Sequence, residues 1–522
     1  STDRGNSWTP VSPDLTRNEK AKQGPGGAPI TNEGAGGEVY NTIFTIAESP
    51  RQAGLIWVGT DDGLIHLTRD GGTTWENVTP KGLPESMINS IEASPHDPAT
   101  AYAAVTRYKF NDQTPHIYRT ADYGKSWTRL VNGIGPEAWV RVVREDPVRK
   151  GLLYAGTERG FYVSFDGGQL WKQLQLNLPV VAITDLQING NDLVASTQGR
   201  AFWVLDDVTL LRELTPGATP GVAVYSSGSA PRVAGGGGFS PNVPGFAANP
   251  PGGAQLYLHL PLAPDSTTRA RLEILDGTGQ VIRTYVTRRE KDASGKPVPA
   301  DSISLNKGMN RVAWDFRHQG FESVAGLFTL GGAQGRLVTS GRYTVRLSVG
   351  DASATTNLEV RADPRFNHPA QAYAAQERMA ATLQVHLADL FGYVRRLRTA
   401  REQMKSAVTR AEGTPGHSEL KAAADSLGKQ MREAEERLVQ PKSTTFQDVV
   451  NFTSKLDAQL LQLMGTVDGA EPPLTAGQQE RFRDLERLWA TEQSGLERLL
   501  GAELAAFNAL VQRLGIPAVV PR

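Results

Sequence analysis

Thr68-Arg69-Asp70-Gly71-Gly72-Thr73-Thr74-Trp75 decides the fold, because the same string returns at fixed offsets. Thr120-Ala121-Asp122-Tyr123-Gly124-Lys125-Ser126-Trp127 and Ser164-Phe165-Asp166-Gly167-Gly168-Gln169-Leu170-Trp171 are copies, and the chain opens on another, Ser1-Thr2-Asp3-Arg4-Gly5-Asn6-Ser7-Trp8. Each copy reads as a turn between two antiparallel strands. The aspartate can accept backbone N–H groups two residues on, glycine takes the positive φ at the corner, and tryptophan starts the next strand with a large apolar face. Asp3, Trp8, Asp70, Trp75, Asp122, Trp127, Asp166 and Trp171 are therefore expected to be structural. A carboxylate spent on its own backbone is badly placed for substrate.

Working outward, each turn closes a longer repeat. One unit runs from Ile43-Phe44-Thr45-Ile46 through Trp57-Val58-Gly59-Thr60 to Asp70. The next runs from Ile91-Glu92-Ala93 through Ala101-Tyr102-Ala103 to Asp122, and a third from Val140-Arg141-Val142-Val143 through Tyr154-Ala155-Gly156-Thr157 to Asp166. A fourth, from Ile183 to Val204-Leu205-Asp206, lacks the tryptophan turn. The turn aspartates stand 67, 52 and 44 residues apart, so the units share a core and differ in their loops. Four short strands per unit is the pattern of a β-propeller blade. Residues 1–15 hold only a turn and one outer strand. The expectation is a partial propeller over 1–228, completed by an upstream half or by a second chain, since an arc alone exposes strand edges.

If the first strand of each blade lines a central channel, the loops from strand two to three and from strand four to the next blade share one rim, opposite the tryptophan turns. That rim carries Glu38, Tyr40, Asp61, Asp62, Arg107, Tyr108, Trp139, Glu158, Arg159 and Arg200. The arginines would clamp anions or carboxylates, and Tyr40, Tyr108 and Trp139 would offer stacking surfaces. Asp61, Asp62 and Glu158 are the catalytic candidates. Two carboxyls roughly 5–10 Å apart are needed for glycoside hydrolysis, and adjacent strand residues such as Asp61 and Asp62 point to opposite faces.

Beyond the blades, 229–253 reads as a Gly/Pro-rich linker. From 254 to 364 the apolar period becomes two, as in Leu256-Tyr257-Leu258-His259-Leu260 and Tyr343-Thr344-Val345-Arg346-Leu347, with Trp314 at a core position. A β-sandwich over these residues follows from that pattern. Leu383, Leu387, Leu390, Val394 and Leu397 then recur at helical spacing. Gly413 to Gly416, Pro441 and Pro472-Pro473 divide 369–515 into about four helices, read as an antiparallel bundle. The fold class is thus mainly β with a C-terminal α region.

Of 522 residues, 55 are Lys or Arg and 55 Asp or Glu, so no net field draws nucleic acid or an anionic membrane. No apolar run is long enough to span a bilayer and no signal peptide is present. The first residue is not methionine, which reads as a processed end or a cut boundary. Cysteine is absent, which removes disulfides and thiolate metal sites and suits an oxidising compartment. His259 and His318 stand without second ligands at metal spacing and read as structural. No metal and no cofactor are expected.

The Ser/Thr-x-Asp-x-Gly-x-x-Trp turns resemble the Asp boxes (BNR repeats) of sialidases, xyloglucanase-type hydrolases and the sortilin propeller. With Trp57-Val58-Gly59-Thr60-Asp61-Asp62-Gly63, and Asn249-Pro250-Pro251-Gly252 ahead of the sandwich, the chain is similar to large bacterial BNR-repeat, sortilin-like "glycosyl hydrolase" proteins. That resemblance implies a propeller of about ten blades, an Ig-like module and a helical tail. The sialidase Phe/Tyr-Arg-Ile-Pro string and arginine triad find no match here. Two functions follow as expectations. The first is a secreted or periplasmic protein that binds a peptide, protein or glycan on the rim. The second is a glycoside hydrolase of sialidase or xyloglucanase type. A structural component of a larger assembly is a third reading.

Overall fold

The computed structural model describes residues 1–23, 40–215, 217, 221–233, 252–265, 268–288, 300–329 and 332–515. Glu38 and most of the 229–253 stretch lie outside them. The chain forms two compact units, Ser1–Ala218 and Thr219–Arg522.

The first unit is an arc of antiparallel sheets. β1 (Ile43–Glu48), β2 (Ile56–Thr60), β3 (Ile65–Thr68) and β4 (Glu76–Asn77) pair in sequence order. So do β5 (Met87–Ala93), β6 (Ala101–Arg107), β7 (Asp112–Thr120) and β8 (Thr128–Arg129). The third sheet is β9 (Val140–Glu145), β10 (Leu153–Thr157), β11 (Gly160–Ser164) and β12 (Trp171–Gln173). The fourth has three strands rather than four: β13 (Ile183–Asn189), β14 (Asp192–Thr197) and β15 (Phe202–Leu205). First strands neighbour one another, β1 beside β5, β5 beside β9 and β9 beside β13, which is the radial order of propeller blades.

The turns hold each blade to the one before. Asp70 accepts Thr74 N–H at 2.9 Å and the Thr74 hydroxyl at 2.6 Å, while the Thr68 hydroxyl takes Gly72 N–H at 2.9 Å. Asp122 with Ser126 and Asp3 with Ser7 repeat this arrangement. The carboxylate thus reaches four residues on, not two. These bonds, the i+4 hydroxyl foremost, hold the exposed carboxyls of Asp3, Asp70 and Asp122 down at about 2. The tryptophan that follows donates its indole N–H backwards. Trp75 bonds Val11 O at 2.9 Å, Trp127 bonds Val78 O at 2.7 Å and Trp171 bonds Leu130 O at 3.0 Å. Each acceptor stands three residues after the previous blade's tryptophan. Gly72, Gly124 and Gly168 sit against the same residues, with positive φ and a virtual Cβ 2.5–3.0 Å from Val11, Val78 or Leu130 atoms. Only glycine allows that approach.

In the fourth sheet the register places Arg212 where the others have tryptophan. The chain turns instead into α1 (Thr209–Glu213), and Arg212 Nε bonds both oxygens of the fully buried Asp146 at 2.9 and 3.0 Å.

In the second unit β16 (Ala223–Ser226), β18 (Ala254–Leu260) and β22 (Gly308–Trp314) form one sheet. The other runs β17 (Ser229–Pro231), β24 (Ala352–Arg361), β23 (Gly341–Val349), β19 (Ala270–Leu275), β20 (Val281–Val286) and β21 (Asp301–Ser302). Residues 223–226, grouped with the blades by the repeat reading, therefore pair with 256–259, and 229–231, read as linker, pair with 359–361. Leu256, Leu258, Leu272, Ile274, Val345 and Leu347 fill a common core, with Trp314 edge-on to Phe316 and Tyr343.

The helical region comprises α2 (Ala370–Arg410), α3 (His417–Leu438), α4 (Leu456–Asp468), α5 (Ala476–Arg498) and, after a π turn, α6 (Leu504–Arg513). Leu383, Leu387, Leu390, Val394 and Leu397 are fully buried in its core. Arg317 bonds Asp468 at 3.1 Å and Arg336 bonds Glu377 at 2.8 Å, tying sandwich loops to the helices. Burial holds His318 at about 4, aided by Arg336 and opposed by Glu377, while His259 bonds Gly221 O at 2.8 Å. No described helix is long and apolar enough to cross a membrane.

Candidate functional site

The rim opposite the tryptophan turns is built from loops that the strand ends deliver. Asp61-Asp62-Gly63 follows β2, Arg107 ends β6 and Tyr108 follows it, Glu158 and Arg159 follow β10, and Trp139 precedes β9.

Asp62 is fully buried and held by three donors. It accepts Arg17 N–H at 2.7 Å, the Asn41 amide at 2.5 Å and the Thr60 hydroxyl at 2.5 Å. With three of its roughly four acceptor sites filled and no exposed surface, this carboxylate is closed to a substrate. Tyr40 is also buried and is no stacking platform: its hydroxyl donates to Glu85, and burial first, then Glu85, pushes its pKa far up. Lys22 closes this group on Glu85 at 2.8 Å. Arg107 is spent as well, giving Nε to Glu85 O at 3.1 Å and Nη1 to Asp112 at 2.5 Å. As a clamp it would have to break both.

Asp61 differs. It is half-buried and accepts Thr42 N–H at 2.8 Å and the Thr42 hydroxyl at 3.1 Å. Burial raises its carboxyl, opposed by those two bonds.

Between the second and third blades, Tyr108 and Trp139 stack with centroids 5.5 Å apart and planes inclined by 18°. Arg141 lies over the Tyr108 ring at 5.8 Å and bonds Glu158 at 2.7 Å. Beside it Arg159 pairs with Glu137 at 2.8 Å, both side chains more than half exposed. Arg200 is exposed, and its carbonyl takes the Trp203 indole at 2.9 Å. The structure thus gathers Tyr108, Trp139, Glu158 and Arg159 with Arg141 and Glu137. Asp61 and Arg200 are engaged elsewhere, with Thr42 and Trp203.

Glu85, Lys22 and Arg141 were not legible as site residues, whereas Glu137 stands in the rim loop that carries Trp139. Arg141 had one signal, a charge among Val140, Val142 and Val143 two positions past Trp139. Among the first strands, away from this rim, Glu92 lies 3.5 Å from Arg144, which also bonds Asp185 at 2.7 Å. Burial lifts Glu92 to about 7 against the pull of Arg144. Among the described residues no three His, Asp or Glu side chains cluster as a metal would need.

No protein-family model matches the chain. An oligoxyloglucan reducing end-specific xyloglucanase of Emericella nidulans is 28% identical over 125 residues, 23% of this chain and 15% of that enzyme. The chain thus spans about a seventh of that relative. YCF48 bound to D1 peptide matches with a TM-score of 0.26 and 19% identity over 32% of this chain and 51% of that one. The GH74 enzyme of Niastella koreensis matches at 0.28 and 13% over 60% and 47%. The GH74 xyloglucanase of Xanthomonas campestris matches at 0.25 and 15% over 31% and 29%.

Proposed function

We propose that the protein is an extracellular or periplasmic glycan-binding protein, its ligand lying across the Tyr108–Trp139 stack. The stack carries the reading. Tyr108 and Arg141 hold the half-buried Trp139 ring as a rigid aromatic contact for a sugar, and the Arg141–Glu158 and Arg159–Glu137 pairs beside it supply planar donors and acceptors to sugar hydroxyls. The 125-residue likeness to an enzyme named for oligoxyloglucan favours a β-glucan-type oligosaccharide over a peptide. In this reading the tryptophan turns are Asp boxes, residues 254–364 an Ig-like module, and the helices a bundle that docks partners.

Calorimetric titration with xyloglucan oligosaccharides, and with a peptide library as control, tests it. Saturable glycan binding that weakens at least tenfold in Trp139→Ala is the expected result. Binding of peptide but not glycan, or of neither, overturns it.

A second reading, hydrolysis, draws on Asp61, whose carboxyl is raised by burial on the rim that holds Glu158. Release of reducing ends from xyloglucan, lost in Asp61→Asn, would favour it.

A further inference from the structure

The first strands share a repeat position that the rim does not use. Ala47, Glu92, Arg144 and Gln187 stand three residues before Pro50, Pro95, Pro147 and Gly190. Each pairs across its hairpin with the second strand of its blade, at Trp57, Tyr102, Tyr154 and Val194. One position is thus filled in turn by a small, an acidic, a basic and an amide side chain. All four residues line an open cleft of about 370 Å³, a size that takes a small ligand or one side chain of a partner. Pro50, Pro95 and Pro147 add an apolar wall with Ile46 and Ile91.

The charges in the cleft do not balance. Glu48, Glu92 and Glu145 line it beside a single guanidinium, Arg144, which Asp185 also holds. Four carboxylates therefore meet one cation, and that excess favours a positively charged ligand. Arg144 is already engaged, with Nε on Leu186 O at 2.8 Å, Nη1 on Val143 O at 3.2 Å and Nη2 on Asp185 at 2.7 Å. Glu145 is engaged too, taking Gly151 N–H at 3.0 Å on one oxygen and the Ser94 hydroxyl on the other. Glu92 is not. Its Oε1 accepts only a long bond from Glu145 N–H at 3.3 Å, and its Oε2 lies 3.5 Å from Arg144 with no hydrogen bond among the described residues. Burial accordingly raises this carboxyl, with Arg144 opposing. Glu48 is exposed, and its side chain has no partner among the described residues. A largely enclosed carboxylate with unfilled acceptor positions is costly until a charged donor reaches it.

We infer that this cleft binds an alkylammonium group, its N–H donors on Glu92, with Glu48 as a second acceptor and its methylene stem against the prolines. The apolar wall beside a carboxylate matches a side chain whose stem is apolar and whose head is charged. With Oε1 of Glu92 partly taken by a backbone N–H, one oxygen is left open. That suits a compact ammonium rather than a guanidinium fork, which needs both oxygens of a carboxylate. The lysine side chain of a protein segment and a free polyamine carry the same group. The cleft shares no residue with the Tyr108–Trp139 site, so the inference is independent of the rim's ligand.

Calorimetric titration of the full chain at pH 8 tests it with three probes: spermidine, an acetylated and amidated Gly-Lys-Gly tripeptide, and the same tripeptide with norleucine for lysine. The norleucine probe keeps the apolar stem and lacks the charge. Saturable binding of spermidine or of the lysine tripeptide, at least tenfold tighter than that of the norleucine tripeptide, is the expected result. A preference for the lysine tripeptide assigns the cleft to a protein segment, and a preference for spermidine assigns it to a free polyamine. Glu92→Gln keeps the volume of the side chain and removes a charge that burial opposes, so the variant should fold, as its urea midpoint would show. It should weaken binding at least tenfold. No saturation by either amine, equal affinity for the norleucine tripeptide, or affinity unchanged in a folded Glu92→Gln variant each overturns the inference.

Discussion

Trp127 donates its indole N–H to the carbonyl of Val78, 49 residues earlier and one blade back, at 2.7 Å. The same ring meets Trp57 edge-on, with centroids 6.1 Å apart. One side chain therefore supplies both the apolar seal and the polar latch between two blades. Trp127→Phe keeps much of the ring and loses the latch, which costs about 1 kcal/mol. Trp127→Ala loses both and costs about 3–5 kcal/mol. Urea unfolding of the two variants checks the difference.

Gly124 explains why that latch tolerates no side chain at its base. Its φ is +81° and a Cβ there would lie 2.5 Å from Val78 Cβ. Gly124→Ala should destabilise by about 1–3 kcal/mol. Gly71→Ala, in the neighbouring turn with open space around it, separates strain from crowding and should cost less. Thermal melts of both variants decide it.

Arg212 and Asp146 form the polar substitute for the latch in the fourth blade. Asp146 is fully buried, and Tyr154 reaches it at 3.3 Å as well. Arg212→Met leaves the carboxylate uncompensated and should cost about 3–5 kcal/mol. Pairing it with Asp146→Asn should recover much of that loss, as a double-mutant unfolding cycle would show.

Glu92 makes stability depend on pH. Burial raises its folded pKa to about 7, above that of an unfolded glutamate. Arg144 and the Glu145 N–H oppose the rise, while Glu145 and Asp185 add to it. A raised carboxyl stabilises the fold below the unfolded pKa and loses that contribution as pH climbs to 7. Between about pH 4.5 and 7 the protein should lose up to about 3 kcal/mol through this group. Glu92→Gln should flatten that slope in urea midpoints measured at pH 5 and 7.5.

The repeat was legible because its residues answer local demands. A turn that folds a carboxylate back on its own backbone, a corner with positive φ and a tryptophan opening the next strand are short-range requirements, so they leave fixed spacings in the chain. The same holds for Trp314 in the sandwich and for Leu383 to Leu397 on α2, where alternation and helical period state which face is buried. The rim was legible only as a set of loops. Asp61 and Asp62 are adjacent and chemically identical, yet Asp62 is sealed by Arg17, Asn41 and Thr60 while Asp61 stays half open. Tyr40 and Tyr108 look alike in sequence, but one is buried against Glu85 and the other stacks on Trp139. Which charges are spent on each other and which face outward depends on loops of neighbouring blades meeting at the rim. Local pattern determined the blades, the sandwich strands and the helices. Packing between sequence-distant segments alone decided which rim residues remain free to bind.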